Sequence, residues 1–223
     1  MAIMGRHHTS LEEEKYYSLS DTVFKALAPF YDIIASPLSK AREKVVDFAN
    51  AAKGSKVLDV ATGTGGQALA FAKRGYDTTG VDLSEAMLRI AQRKNRYANA
   101  RFEVADATHL RFEDNAFDIS TISFALHDMP ITIREKVLKE MVRVTKPNGA
   151  ILIVDYALPK NKIGRALTFR LVSLYEGEYY RTFIASDVEG LLGRAGISAQ
   201  EDLPILLGAG RILRGIRKET ASL

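Results

Sequence analysis

The stretch Val57-Leu58-Asp59-Val60-Ala61-Thr62-Gly63-Thr64-Gly65-Gly66 leaves this chain few folds to choose from. Val57, Leu58 and Val60 form a short apolar run that reads as a buried strand. The run stops in small residues that let a backbone turn sharply and come close to another group. Residues 67–74 then read as helix, so the glycines lie between a strand end and a helix N-terminus, where unpaired N–H groups converge. Strand, tight turn and helix in that order open a parallel α/β sheet, and the turn is a cradle for a nucleotide cofactor.

Two cofactor classes use such a cradle. Gly63-x-Gly65-x-x-Ala68 fits the dinucleotide pattern, with Asp82 at the usual spacing further on. S-adenosylmethionine (SAM) is the other, and Asp59 favours it. A carboxylate beside a pyrophosphate would place two anions at one helix N-terminus, whereas SAM has no phosphate and carries a sulfonium and an ammonium. Further on, residues 77–82 read as a second strand ending in Asp82, placed to accept from both ribose hydroxyls. Residues 102–107 read as a third, ending in Asp106-Ala107 and suited to an adenine edge.

With these residues in place, the chain resembles the class I SAM-dependent methyltransferases, in particular the branch of the ubiquinone and menaquinone C-methyltransferases. The likeness covers residues 53–156 and includes Thr145-Lys146-Pro147-Asn148-Gly149-Ala150 before a fifth, apolar strand. It implies a Rossmann-like α/β fold with a seven-stranded, mostly parallel sheet closed by an antiparallel strand. It also implies a cofactor set of Asp59, Ala61, Thr62, Gly63, Gly65, Asp82, Leu83, Met87, Asp106, Ala107 and Ser123. Ala61 stands where a glycine is commoner. The segment Phe30-Tyr31-Asp32 resembles the entry segment of the quinone enzymes, and Tyr180-Arg181 matches a Tyr-Arg there, which implies Tyr31, Tyr180 and Arg181 at the substrate. His127-Asp128 stands where those enzymes carry Arg-Asn.

With 223 residues, 47% of them hydrophobic, the chain suits one domain with a real core. We expect a helical cap over 1–52, a SAM-binding core over 53–156, a lid or substrate insertion over 157–184, and a closing helix and hairpin over 185–223. Helices are expected over 9–28 (capped by Thr9 or Ser10), 36–52, 67–74 and 84–96, the last with Ser84 as cap. Thr132-x-x-Glu135 reads as a capping box opening a helix to Val144, and Ser186-x-x-Glu189 as the cap of the last helix, ended by Gly196. The aromatics Phe169, Tyr175, Tyr179, Tyr180 and Phe183, with Arg165, Arg170 and Arg181, give the insertion the character of a lid.

The absence of cysteine excludes disulfides, thiolate-held zinc and cysteine-dependent methyl transfer. His7 and His8 do not make a metal site, and no metal is expected. The charge of +4 permits anionic surfaces, including peripheral membrane contact, but shows no concentrated basic stripe for nucleic acid. No apolar run approaches the roughly 20 residues of a membrane span, and residues 1–8 lack the core of a signal peptide; a cytoplasmic protein is expected. The expected reaction is methyl transfer from SAM, with S-adenosylhomocysteine as product, to a small or lipid-like quinone, phenol or amine. His127 at the crevice mouth is the expected general base, with Asp128 either orienting it or acting itself. The alternatives are a SAM-holding subunit or sensor without turnover, and a methyltransferase acting on RNA or protein.

Overall fold

The apolar run at residues 57–60 becomes an inner strand of a seven-stranded sheet. The structure is a computed structural model that describes residues 11–174 and 176–218. His7, His8, the capping Thr9 or Ser10, and Tyr175 lie outside the described residues. The elements run α1 (Leu11–Leu27), α2 (Tyr31–Ile34), α3 (Ser39–Ala49), β1 (Lys56–Val60), α4 (Gly66–Lys73), β2 (Asp77–Asp82), α5 (Glu85–Lys94), β3 (Ala100–Val104), β4 (Phe117–Ser123), α6 (Ile131–Val144), β5 (Thr145–Tyr156), α7 (Lys162–Val172), α8 (Glu178–Ala185), α9 (Val188–Ala195), β6 (Ile197–Ile205) and β7 (Gly210–Arg217).

The strand order is β3-β2-β1-β4-β5-β7-β6. Every neighbouring pair from β3 to β5 is parallel, and β7 runs antiparallel to both β5 and β6. Chain direction reverses its march across the sheet between β1 and β4, so their carboxyl ends open a crevice there. The inner strands are apolar on both faces. Leu58, Val60, Ile122, Ile151 and Ile153 meet Ile133, Val137 and Leu138 of α6 and Leu191 and Leu192 of α9. On the other face Val57, Ile119, Leu152 and Val154 meet Val45 and Val46 of α3 and Phe71 of α4. Burial on both sides is why residues 150–155 read as a continuous apolar run and not an alternating one.

Local chemistry sets several boundaries differently from the sequence reading. Helix α6 starts one residue before Thr132, because Pro130 takes the N-cap position with an extended backbone. The Thr132–Glu135 capping box is therefore not formed. Asp187, not Ser186, caps α9 by accepting from Gly190 N, while Gly196 ends it in the left-handed region as expected. Ser84 does cap α5, accepting from Met87 N at 3.4 Å. The expected helix over 36–52 begins as a 3-10 turn around Pro37 and ends at a left-handed Asn50. Strand β3 stops at Val104, and Asp106 folds back in a turn in which its own Oδ1 accepts from Thr108 N at 2.8 Å. No described helix is long and apolar enough to cross a membrane.

Candidate functional site

The turn after β1 alternates left-handed residues: Ala61 (φ 52°), Gly63 (φ 55°) and Gly65 (φ 78°). The two glycines serve different ends. A Cβ on Gly65 would come within 2.9 Å of Phe102 and Ala91, so Gly65 lets α4 pack close to its neighbours. A Cβ on Gly63 would meet only Tyr31, at 3.8 Å, so Gly63 leaves its backbone open to the crevice. Ala61 adopts the same region with a side chain, at a cost of about 1–2 kcal/mol.

A cavity of about 210 Å³ opens at the carboxyl ends of the strands. Its walls bring together Ala61, Gly63, Asp82, Leu83, Met87, Asp106, Ala107, Tyr31 and Asp128. A smaller cavity of about 40 Å³ adjoins it, lined by Asp59, Thr62, Ser123, Gln67 and Arg42; Tyr31, Ala61 and Phe124 border both. Of the residues expected at a cofactor, only Gly65 faces neither cavity.

Asp82 Oδ2 accepts from Gly63 N and Oδ1 from Ser84 N, each at 2.8 Å. Burial nevertheless pushes its carboxyl above the ordinary carboxylate range, against the pull of those N–H donors. Each oxygen keeps a second lone pair, so a vicinal diol placed in the cavity would supply the missing donors. Asp59 is buried more deeply, and burial raises it to about 7. Its Oδ2 accepts from Thr62 Oγ1 at 2.5 Å and from Ala68 N at 3.0 Å. The first turn of α4 is thus already served by a carboxylate, which disfavours a pyrophosphate there. Two buried polar atoms on the smaller cavity, Ser123 Oγ and Gln67 Oε1, have no hydrogen-bond partner among the described residues. With Arg42 and Asp59 beside them, they suit the zwitterionic amino-acid end of SAM, and Asp82 suits its ribose. The residues present fit SAM, and the dinucleotide alternative is the poorer fit.

His127 is not where the sequence placed it. It is buried rather than at the crevice mouth, and it lines neither cavity. Its Nδ1 lies 2.7 Å from Asp155 Oδ1 and its Nε2 3.3 Å from Glu176 Oε2. Burial alone would lower this imidazole, but the Asp155 and Glu176 carboxylates hold it well above its usual 6.5. A protonated ring with both nitrogens engaged has no lone pair with which to take a proton. The donor atoms of His127, Asp128 and Glu176 lie within 4.8 Å of one another, a cation-sized cluster in which the imidazolium is already the cation. Asp128 does face the larger cavity. Burial lifts its carboxyl to about 6, partly offset by His127.

The expected substrate residues separate. Tyr31 stays at the cavities. Tyr180 is fully buried, its ring 5.3 Å from that of Tyr156 and 6.4 Å from that of His127. Arg181, next along α8, faces solvent. An aromatic at helical spacing here serves packing behind the site.

The sequence reading expected a helical cap over 1–52 but did not name the α1 side chains that reach the site. Tyr16, Tyr17 and Phe24 cover the cavity, and Tyr17 OH donates to Asp106 Oδ2 at 3.1 Å. Nothing in the pattern of α1 distinguishes that face from an ordinary packing stripe. Asp155 was legible by a rule already applied elsewhere: like Asp59 and Asp82, it is a carboxylate at the end of an apolar strand.

Residues 57–149 match the family described as methyltransferase domain. A demethylmenaquinone methyltransferase of Paenarthrobacter aurescens is 39% identical over 151 residues, covering 66% of this chain and 58% of its own. A ubiquinone/menaquinone biosynthesis C-methyltransferase of Shewanella pealeana is 31% identical over 172 residues, covering 72% of this chain and 68% of its own. The match thus spans only 58% of the length of the demethylmenaquinone enzymes of Paenarthrobacter aurescens and Renibacterium salmoninarum. Among solved structures, a SAM-dependent methyltransferase of Aquifex aeolicus aligns with TM-score 0.64 at 20% identity, over 93% of this chain and 100% of its own. The cyclase SpnF aligns with TM-score 0.71 at 16% identity, over 90% of this chain and 96% of its own, so the fold by itself does not carry methyl transfer. Strand order, cofactor-fitting crevice and sequence likeness agree: this chain belongs to the class I SAM-dependent methyltransferases, on the branch of the ubiquinone and menaquinone C-methyltransferases.

Proposed function

We propose that the chain transfers a methyl group from SAM to a small, lipid-like acceptor, a quinol or phenol of the kind named in its relatives, on the cytoplasmic side. The observation that carries this reading is the position of Asp128. It is a titratable carboxylate on the same cavity as Asp82 and Asp106, beside apolar walls from Met129, Ile133 and Val137. SAM, when bound, supplies an electrophilic methyl on a sulfonium. Asp82, Asp106 and Met87 would hold its adenosine, and Asp59, Thr62, Gly63 and Ser123 its amino-acid end. The apolar walls and α1 exclude water from the acceptor.

Methylating the ring carbon of a phenol forms a C–CH3 bond as the S–CH3 bond breaks. Loss of the O–H proton makes the ring carbon nucleophilic, and the C–H proton at the methylated carbon then leaves to restore the aromatic ring while the oxygen regains a proton. Asp128, ionised above about pH 6, accepts the O–H proton at a carboxylate oxygen. His127 acts through its neighbours: gripped by Asp155 and Glu176, it ties the end of β5 to the segment before α8 and sets the loop that carries Asp128. We read α7 and α8 as the lid over this edge, with Tyr31 as the substrate-side wall. The test is turnover of radiolabelled SAM by the isolated chain with a demethylated naphthoquinol. Label appearing on the quinol carbon supports the reading. SAM binding without label transfer to any quinol or phenol overturns it.

A further inference from the structure

Helix α7 carries its apolar residues on the side facing water. Ile163, Leu167, Leu171 and, two residues past the helix end, Leu174 fall within an arc of about 80° at the α-helical repeat. They are 83%, 57%, 52% and 81% exposed, whereas Val172, on the opposite side, is buried. Four leucine-type side chains turned outward on one helix are not the scattered apolar exposure of an ordinary surface.

The turn between β6 and β7 extends this face. Gly208 abuts Pro159, just before α7, and Ala157 N donates to Ala209 O at 3.0 Å. Leu207 on that turn is fully exposed and held at φ 57°, a conformation unfavourable for leucine. β6 and β5 both run antiparallel to β7, so the turn and the start of α7 lie at one end of the strands. That is the carboxyl end of β5, the same end of the sheet at which the cavity lies.

Charge identifies what covers the face. Residues 156–175 contain Lys160, Lys162, Arg165 and Arg170 and no carboxylate. All four cations are exposed. A second copy meeting this face about a two-fold axis would bring eight cations together. An anionic lipid surface takes both the apolar arc and the cations.

We propose that α7 and the 206–208 turn form a docking face for anionic lipid, which brings a lipid-borne acceptor to the cavity edge. Its purpose rests on the acceptor reading above; the docking itself does not. The test is co-sedimentation of the full chain with phosphatidylcholine vesicles, with and without phosphatidylglycerol, at low and high salt. Partition should require phosphatidylglycerol and weaken with salt. Leu167→Glu with Leu171→Glu should reduce it at least tenfold, and Lys162→Gln by about fivefold, with SAM affinity retained in both as proof of folding. No partition onto anionic vesicles, equal partition onto both compositions at all salts, or leucine variants that split a dimer without altering vesicle binding would each overturn the proposal. Vesicle binding without turnover of a quinol counts against the acceptor and leaves the docking face intact.

Discussion

Removing His127 tests the buried network most sharply. Asp155, its side chain 3% exposed, is held by the His127 ring at 2.7 Å, by His127 N at 3.2 Å and by Tyr156 N at 2.7 Å. His127→Ala takes away the cation and leaves the carboxylate buried with backbone donors alone. Breaking one partner of a buried ion pair costs about 3–5 kcal/mol. At about 2–4 °C per kcal/mol for a chain of this size, Tm should fall by roughly 6–20 °C. A companion variant, His127→Gln, keeps a donor without the titration and isolates its pH dependence. The folded protein holds the imidazole well above 6.5, so it binds this proton more tightly than the unfolded chain does. The resulting stability is complete below about pH 6.5 and is lost as pH rises through the folded value. From pH 7 upward, urea unfolding of the wild type should lose stability more steeply than that of His127→Gln, by about 1.4 kcal/mol per pH unit. A Tm within 2 °C of wild type for His127→Ala, or parallel pH curves for wild type and His127→Gln, would refute a protonated His127.

Asp128→Asn should lower methyl transfer by about 10²–10⁴-fold with little change in SAM affinity. Wild-type turnover should fall as pH drops through about 6, where Asp128 gains its proton, and the variant's residual rate should lack that limb. Gly65→Ala should destabilise the fold by about 1–3 kcal/mol, because its Cβ would collide with Phe102 and Ala91. Gly63→Ala should cost only the roughly 1–2 kcal/mol of a side chain held at positive φ, a strain that Gly65→Ala bears in addition to its collision, and should weaken SAM binding; equal thermal shifts for the two glycine variants would show that the turn does not divide packing from binding. Arg181→Ala, altering an exposed side chain, should leave KM within threefold of wild type, and a larger change in steady-state kinetics would return Arg181 to the substrate.

Most of the sheet was legible because its strands obey local rules. The apolar run around Asp59 and the strand ending in Asp82 declare both a buried strand and the end of the sheet where ligands sit. Element ends were less legible where two capping residues competed, as Pro130 and Asp187 show. His127 was misplaced for a different reason. Sequence puts it on a loop at the crevice, but its burial is decided by Asp155 and Glu176, 28 and 49 positions away along the chain. Tyr180 belongs with it, packed against Tyr156 and lining neither cavity. The cover provided by α1 is likewise a tertiary fact. Tyr16 and Tyr17 differ from any helix aromatics only in lying over Asp106.

The account stands on SAM seated against Asp82, and calorimetric titration measures that directly. One molecule of SAM per chain should bind, with Asp82→Ala weakening the affinity at least tenfold and NAD producing no heat. Binding of NAD in place of SAM, or SAM affinity unchanged in Asp82→Ala, would contradict it.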